Sequence, residues 1–173
     1  MAGSRNSRPT NPVMQAVSAC LPRHTQPGDS LVVGLSGGLD STVLLHAASR
    51  ACRERGQVLS ALSVNHGLSP NATTWQDHCA AVCSALAIPL SVVRVQVPSA
   101  TGEGLEGAAR RARHAALARH PAAWILHAHH IDDQAETLMH NLLRGAGVRG
   151  AGAMPEARGR LLRPLLTLGR NDL

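Results

Sequence analysis

Between the apolar run Leu31-Val32-Val33-Gly34-Leu35 and an amphipathic stretch opening at Thr42 lies the string Ser36-Gly37-Gly38-Leu39-Asp40-Ser41. A β-branched run, a Gly-Gly turn and a helix start make a strand–loop–helix anion site. Successive backbone N–H groups point into such a loop, and the helix N-terminus adds roughly half a positive charge. Gly37 and Gly38 are expected to supply positive φ and close backbone approach by a ligand. The string is not the phosphate loop G-x-x-x-x-G-K-[ST], and the chain contains no lysine to complete one. Asp40 stands where a phosphate site would avoid negative charge. That placement makes sense if Asp40 works through a bridging Mg2+ or orients a reacting group. The rival explanation is an ordinary glycine turn beside a helix cap.

A second constellation runs His127-Ala128-His129-His130-Ile131-Asp132-Asp133-Gln134-Ala135-Glu136-Thr137 and joins a strand end to a helix start. Asp133 with Glu136 three residues later resembles a capping box with Asp in place of Ser or Thr, which accounts for one acid as a cap. It does not account for two acids beside three histidines. Carboxylates at a helix N-terminus suit holding Mg2+ or an ammonium group better than acting as acids. Histidines near neutral pKa can contact phosphate or move protons, and the spacing is not the H-E-x-x-H of a zinc site. The following Leu138, Met139, Leu142 and Leu143 are expected to be core. The helix should stop near Arg144, with Gly145 as its C′ residue.

The third cluster is Glu106-Gly107-Ala108-Ala109-Arg110-Arg111-Ala112-Arg113-His114. Arg110 and Arg113, three apart, share a helical face, whereas Arg111 lies well round from both. Two guanidiniums on one face could clamp a phosphate or carboxylate, and a solvated basic face is the alternative.

The elements that must position these residues alternate in type. A helix is predicted over Pro12–His24, then strand 30–35, helix 42–55, strand 58–65, helix 71–87, strand 90–97, helix 103–119, strand 123–128 and helix 132–144. Leu161–Leu166 reads as a fifth strand or a loop. Alternation of this kind implies an α/β fold, a parallel sheet covered on both faces, with ligands bound beyond the carboxyl ends of the strands. The Ser36–Ser41 loop, Asn65-His66-Gly67, the 98–104 loop and His127–Asp133 all fall on that edge.

Composition fits one domain of 173 residues with an aliphatic core, since Phe and Tyr are absent and only Trp75 and Trp124 are aromatic. The net charge of +6 comes from arginine and suits phosphate or nucleic-acid partners, unless compositional bias alone explains it. Neither a membrane span nor a signal peptide is indicated, so a cytoplasmic location is expected. Cys20, Cys52, Cys79 and Cys83 read as neither a disulfide framework nor a zinc set. Cys79 and Cys83 share a helical face with Trp75, Val82 and Leu86 and are expected to be buried. The first residues, 1–11, read as disordered.

Across about residues 30–166 the chain resembles the tRNA(Ile)-lysidine synthetase family of the PP-loop ATP pyrophosphatase superfamily, specifically its N-terminal catalytic domain. The likeness rests on Ser36–Ser41; Val64-Asn65-His66-Gly67-Leu68-Ser69; Glu106 through Arg113; His129 through Thr137; Arg144-Gly145-Ala146-Gly147; and Arg163-Pro164-Leu165-Leu166. The first string is shared across the superfamily, and its combination with the last four is much more specific. The resemblance implies a Rossmann-like domain (adenine nucleotide alpha hydrolase-like) with a five-stranded parallel sheet. It divides the chain into 1–24, a disordered start and short helix, and 25–173, the ATP-binding catalytic domain.

By the same resemblance, ATP activates the C2 carbonyl of the wobble cytidine of tRNA(Ile) with a CAU anticodon. The amine of free L-lysine then displaces AMP to give lysidine. Ser36, Gly37, Gly38, Leu39, Asp40 and Ser41 would hold ATP phosphates, with Asp40 on Mg2+. Asn65 and His66 would lie near the nucleoside, and Arg110, Arg113, His130, Asp132 and Asp133 would serve the adenylate and the lysine. Because a free lysine amine has a pKa near 10.4, a proton acceptor is needed, and His129 or His130 is the candidate.

Two departures stand out. His114 occupies a position that is commonly tyrosine in the family, so a stacking contact is expected to be lost. Family members also continue past the Arg-Pro-Leu-Leu segment into helical and C-terminal tRNA-binding regions that this 173-residue sequence lacks. The oligomeric state is left open, with a homodimer among the options. Rival functions are a sulfur-inserting or ammonia-using PP-loop enzyme, or a nucleotide- or RNA-binding remnant without catalysis.

Overall fold

A computed structural model describes residues 11–67, 72–96, 104–145 and 153–173. The start of the chain through residue 10, Leu68 and Ser69, most of the 98–104 loop, the Glu106 side chain and residues 146–150 lie outside the described residues.

Helix α1 is Pro12–His24, and its start is written in the sequence: the Asn11 side chain accepts from Val13 N at 2.9 Å and Met14 N at 3.2 Å, with Pro12 in the first turn. Then follow β1 (Ser30–Gly34), α2 (Leu39–Glu54), β2 (Val58–Asn65), α3 (Ala72–Ala85), β3 (Leu90–Arg94), α4 (Gly104–Ala118), β4 (Trp124–Leu126) and α5 (Ile131–Leu143). Two short strands, β5 (Ala157–Arg158) and β6 (Leu161–Leu162), and a 3-10 turn at Arg170–Asp172 complete the order.

The sheet runs β3-β2-β1-β4-β6-β5. Its pairs are parallel except β5–β6, which is antiparallel. The expected five parallel strands are present as β3, β2, β1, β4 and β6, and β5 is added at the edge as a sixth, antiparallel strand. The extra one is a two-residue hairpin partner whose turn holds Gly159 at φ +57°, too short to leave an alternating signal. The strand order reverses between β1 and β4, where an open α/β sheet places its ligand.

Side chains alternate across β1. Leu31 and Val33 face the cluster built with Val13, Val17 and Leu21 of α1, Leu44 and Leu45 of α2, and Cys79 and Cys83 of α3. Val32 faces the other way, with Leu62, Leu117 of α4, Ala122 and Ile125. All four cysteines are buried and free.

Cys79 and Cys83 are buried as expected, while Trp75 on the same helix is 57% exposed. One expectation about burial fails. None of α5 is buried, and Leu138, Met139, Leu142 and Leu143 are all exposed among the described residues. Helical periodicity identifies an apolar stripe but not what covers it. No helix among the described residues is long and apolar enough to cross a membrane.

Candidate nucleotide-binding site

Helix α2 begins at Leu39, three residues before the predicted start, so the second half of the Ser36–Ser41 string is its first turn. The N-cap is Gly38, which has no side chain to satisfy the opening N–H groups. Those donors face the loop. Gly37 has φ +85°, and a Cβ there would stand 3.3 Å from Cys79 Sγ, so both its backbone and its packing call for glycine. Gly38 does not share this role: its φ is −76°. The loop is braced internally by Ser36 and Ser41, whose hydroxyls are 3.0 Å apart. Ser41 Oγ also accepts from Ser36 N at 3.2 Å and donates to Gly38 O at 3.1 Å.

Beside this loop opens a pocket of about 480 Å3. One wall is Ser36, Asp40 and Ser41. A second is the end of β2, with Asn65, His66 and Gly67. The third is α4, with Arg110, Arg113 and Leu117, and the fourth runs from His127 to His129 and takes in Asp133. Trp75 and Gln76 of α3 complete it. The Asn65 amide is committed to shape, since its Nδ2 donates to Gln76 Oε1 at 3.0 Å and its Oδ1 accepts from Gly67 N at 2.8 Å.

His130 caps α5, and this corrects the expected capping box. The box is formed by His130 and Asp133: Asp133 Oδ2 accepts from His130 N at 2.8 Å, and Asp132 N donates to His130 Nδ1 at 3.3 Å. The His130 Nε2 lies 3.7 Å from Asp40 Oδ2 and 3.6 Å from Asp133 Oδ2. The imidazole sits behind the pocket, buried, and draws two carboxylates together. Asp132 does not line the pocket; it is exposed and accepts from Arg170 N at 3.2 Å.

Four histidines near the pocket are held neutral. Burial pushes His127 down to about 3 and His129 down to about 4, with neighbouring cationic groups adding to the effect. Burial also lowers His66, helped by Arg113, and lowers His114, helped by Arg110, Arg113 and Arg163. His129 is thus a poor proton acceptor, against expectation. Its Nδ1 also accepts from Arg163 Nε at 3.3 Å, which leaves the ring proton on Nε2. The stacking contact expected to be lost at His114 is present in another form, with the His114 and His127 rings 5.4 Å apart and His127 and His129 5.3 Å apart.

Three buried polar atoms in the pocket walls have no hydrogen-bond partner: Asp40 Oδ1, His66 Nδ1 and His127 Nε2. Such orphans are rare without a ligand. A carboxylate oxygen at a phosphate-type loop fits a hard cation such as Mg2+, and neutral imidazole nitrogens fit the polar edge of a nucleobase.

Sequence reasoning named His114, His127 and Arg163 but did not bring them together. His114 and His127 meet only through the packing of α4 on β4. Arg163 was legible as a charge inside an apolar run: it is buried, bonded to His129, and donates from Nη1 to Pro155 O at 2.8 Å.

A parallel sheet with a lysine-free glycine loop at its switch point defines a nucleotide-handling α/β class. The chain belongs to the PP-loop domain family, which matches residues 10–173. It is 47% identical over 150 residues to a tRNA(Ile)-lysidine synthase of Azoarcus sp. (strain BH72), covering 83% of this chain and 34% of that protein. It is 52% identical over 148 residues to the tRNA(Ile)-lysidine synthase of Pseudomonas aeruginosa, covering 82% and 33%. The chain spans about a third of the length of these curated relatives. In fold it resembles the U34-tRNA thiolase NcsA from Methanococcus maripaludis, with a TM-score of 0.73 at 19% identity over 92% of this chain and 60% of that one.

Proposed function

We propose that this chain is the ATP-using catalytic part of an enzyme that joins lysine to C2 of the wobble cytidine of tRNA(Ile) with a CAU anticodon. The observation that carries the reading is the convergence of the Ser36–Ser41 loop, Arg110, Arg113 and Asp133 on one pocket. The similarity to named lysidine synthases supports the choice of substrate.

Cytosine C2=O is a poor electrophile. In the proposed first step its oxygen attacks the α-phosphorus of ATP, and pyrophosphate leaves with the electron pair of the broken P–O bond. The uncapped N–H groups at the start of α2 bind phosphate oxygens; Asp40 would hold Mg2+, and the ion would supply charge neutralisation at the phosphates. Arg110 and Arg113 stabilise the adenylated intermediate. In the second step the lysine ammonium gives a proton to solvent and its free amine attacks C2; the C2–O bond breaks, AMP departs with the oxygen and the electron pair, and a second proton passes from the nitrogen to solvent. Asp133, the acid of the pair that faces the pocket, receives the amine; His130 positions it and Asp40. Orientation of this kind is worth about 7–11 kcal/mol, and little other chemistry is asked of the protein.

A sulfur-inserting chemistry is not favoured. Burial raises the Cys79 and Cys83 thiols, and inert buried thiols are poor sulfur carriers.

Mg-ATP is expected to raise the melting temperature, and Asp40→Ala to remove most of that gain. Equal stabilisation of wild type and variant would remove Asp40 from the phosphate site. Labelled lysine should enter the CAU-anticodon isoleucine tRNA very slowly or not at all with residues 1–173 alone, whose arginines give salt-sensitive, sequence-blind RNA binding. Efficient and selective labelling would make these residues sufficient for the whole reaction.

A further inference from the structure

Away from the pocket, α1 presents Cys20 and His24 at i, i+4 spacing on one face, toward Glu156 in the segment before β5. The Cys20 Sγ, a His24 ring nitrogen and a Glu156 carboxylate oxygen all lie within 4.8 Å of one another. His24 Nε2 stands 2.8 Å from Glu156 Oε1, and Arg23 Nη2 donates to the other oxygen, Oε2, at 2.6 Å. Tetrahedral zinc holds such donors about 3.3–3.8 Å apart, so small side-chain rotations complete the geometry. Cys20 is fully buried, while His24 and Glu156 are partly open to solvent. The set thus has a side open to solvent, from which a fourth ligand can come.

We propose that Cys20, His24 and Glu156 form a zinc site, separate from the nucleotide pocket, that pins α1 to the segment before β5. The thiol supplies a soft donor, the imidazole a borderline one, and the carboxylate a charge that offsets the cation. Arg23 stays on Oε2 as the outer partner that fixes the carboxylate's orientation. The same segment is clamped from the other side, where Gln134 Nε2 donates to Met154 O at 2.9 Å and Met154 N donates to Gln134 Oε1 at 2.6 Å. Binding replaces the thiol proton, which is released to solvent, and takes a lone pair from a His24 ring nitrogen. A thiol binds zinc only as thiolate, so the affinity should climb with pH.

The test titrates the metal-free 173-residue protein with CoCl2 and then ZnCl2. One Co2+ should bind with a thiolate-to-cobalt charge-transfer band and tetrahedral d–d bands. Zn2+ should displace it, release protons, and raise the melting temperature. Cys20→Ser should abolish the thiolate band, and His24→Gln and Glu156→Gln should each weaken Zn2+ binding at least tenfold, whereas Cys52→Ala should leave it intact. A folded wild type without the thiolate band overturns the proposal. Should Cys20→Ser not fold, unchanged zinc affinity in both His24→Gln and Glu156→Gln overturns it equally.

Discussion

The two faces of the sheet are built to different ends. On one, α1, α2 and α3 close over Leu31 and Val33 with a continuous aliphatic layer that reaches Leu162 and Leu165. On the other, Val32, Leu62, Leu117, Ala122 and Ile125 make a small patch. Beyond it, α4 turns arginines and a histidine toward the strand ends instead of leucines. The pocket opens where that second layer thins, with Leu62 and Leu117 at its floor and Arg110, Arg113 and His127 around it. A domain without Phe or Tyr has few bulky groups to place. It concentrates them on one face and leaves the other free to hold polar groups.

Leu45→Ala, on the closed face, should lower stability by about 2–5 kcal/mol, because the fully buried side chain leaves a cavity that rigid neighbours cannot fill. Urea unfolding measures it, and a loss below 1 kcal/mol would make the closed face softer than described. The open face should respond to pH instead. His127 and His129 titrate at about 3 and about 4 in the fold and near their ordinary 6.5 when unfolded. The unfolded chain therefore binds protons that the native one refuses. Stability should fall as pH drops from about 6.5 toward 5, at up to about 1.4 kcal/mol per pH unit for each histidine. His127→Gln should flatten that slope, and an unchanged slope would place the dependence elsewhere.

Where the faces meet, Gly37→Ala should cost about 1–2 kcal/mol through its left-handed φ, and more if Cys79 Sγ cannot yield. A Cys79→Ala background would relieve only the second part. Smallest in stability is Arg110→Ala, exposed on α4 and expected within about 0.5 kcal/mol of wild type. Its loss should appear in adenylate formation at saturating ATP. A pure loss of ATP affinity would move Arg110 to ground-state binding.

The alternation of β-branched strands with amphipathic helices made most of the fold legible, and α1 lies where a short helix was expected, although Asn11, assigned to the disordered start, is its cap. Helix α2 was misplaced by three residues because its cap is a glycine, which offers no oxygen to recognise. The α5 box was misassigned for a related reason, since histidine is an unusual cap and Asp133 looked the better one. Of the predicted site residues in the Ser36–Ser41 loop and on α4, Ser36, Asp40, Ser41, Arg110 and Arg113 line the pocket, whereas Gly37, Gly38 and Leu39 do not. The contacts among His114, His127, His129 and Arg163 join segments far apart in sequence, and no local pattern encodes such meetings.

Trp75 lines the pocket, largely exposed, while Trp124 is tied by its Nε1 to Asp29 Oδ2 at 3.0 Å, at the start of β4 and away from the pocket. With no tyrosine in the chain, these two indoles are its only strong near-ultraviolet emitters. The protein therefore carries its own optical gauge: one indole placed to sense whatever enters the pocket, and the other held as an internal reference in the same spectrum.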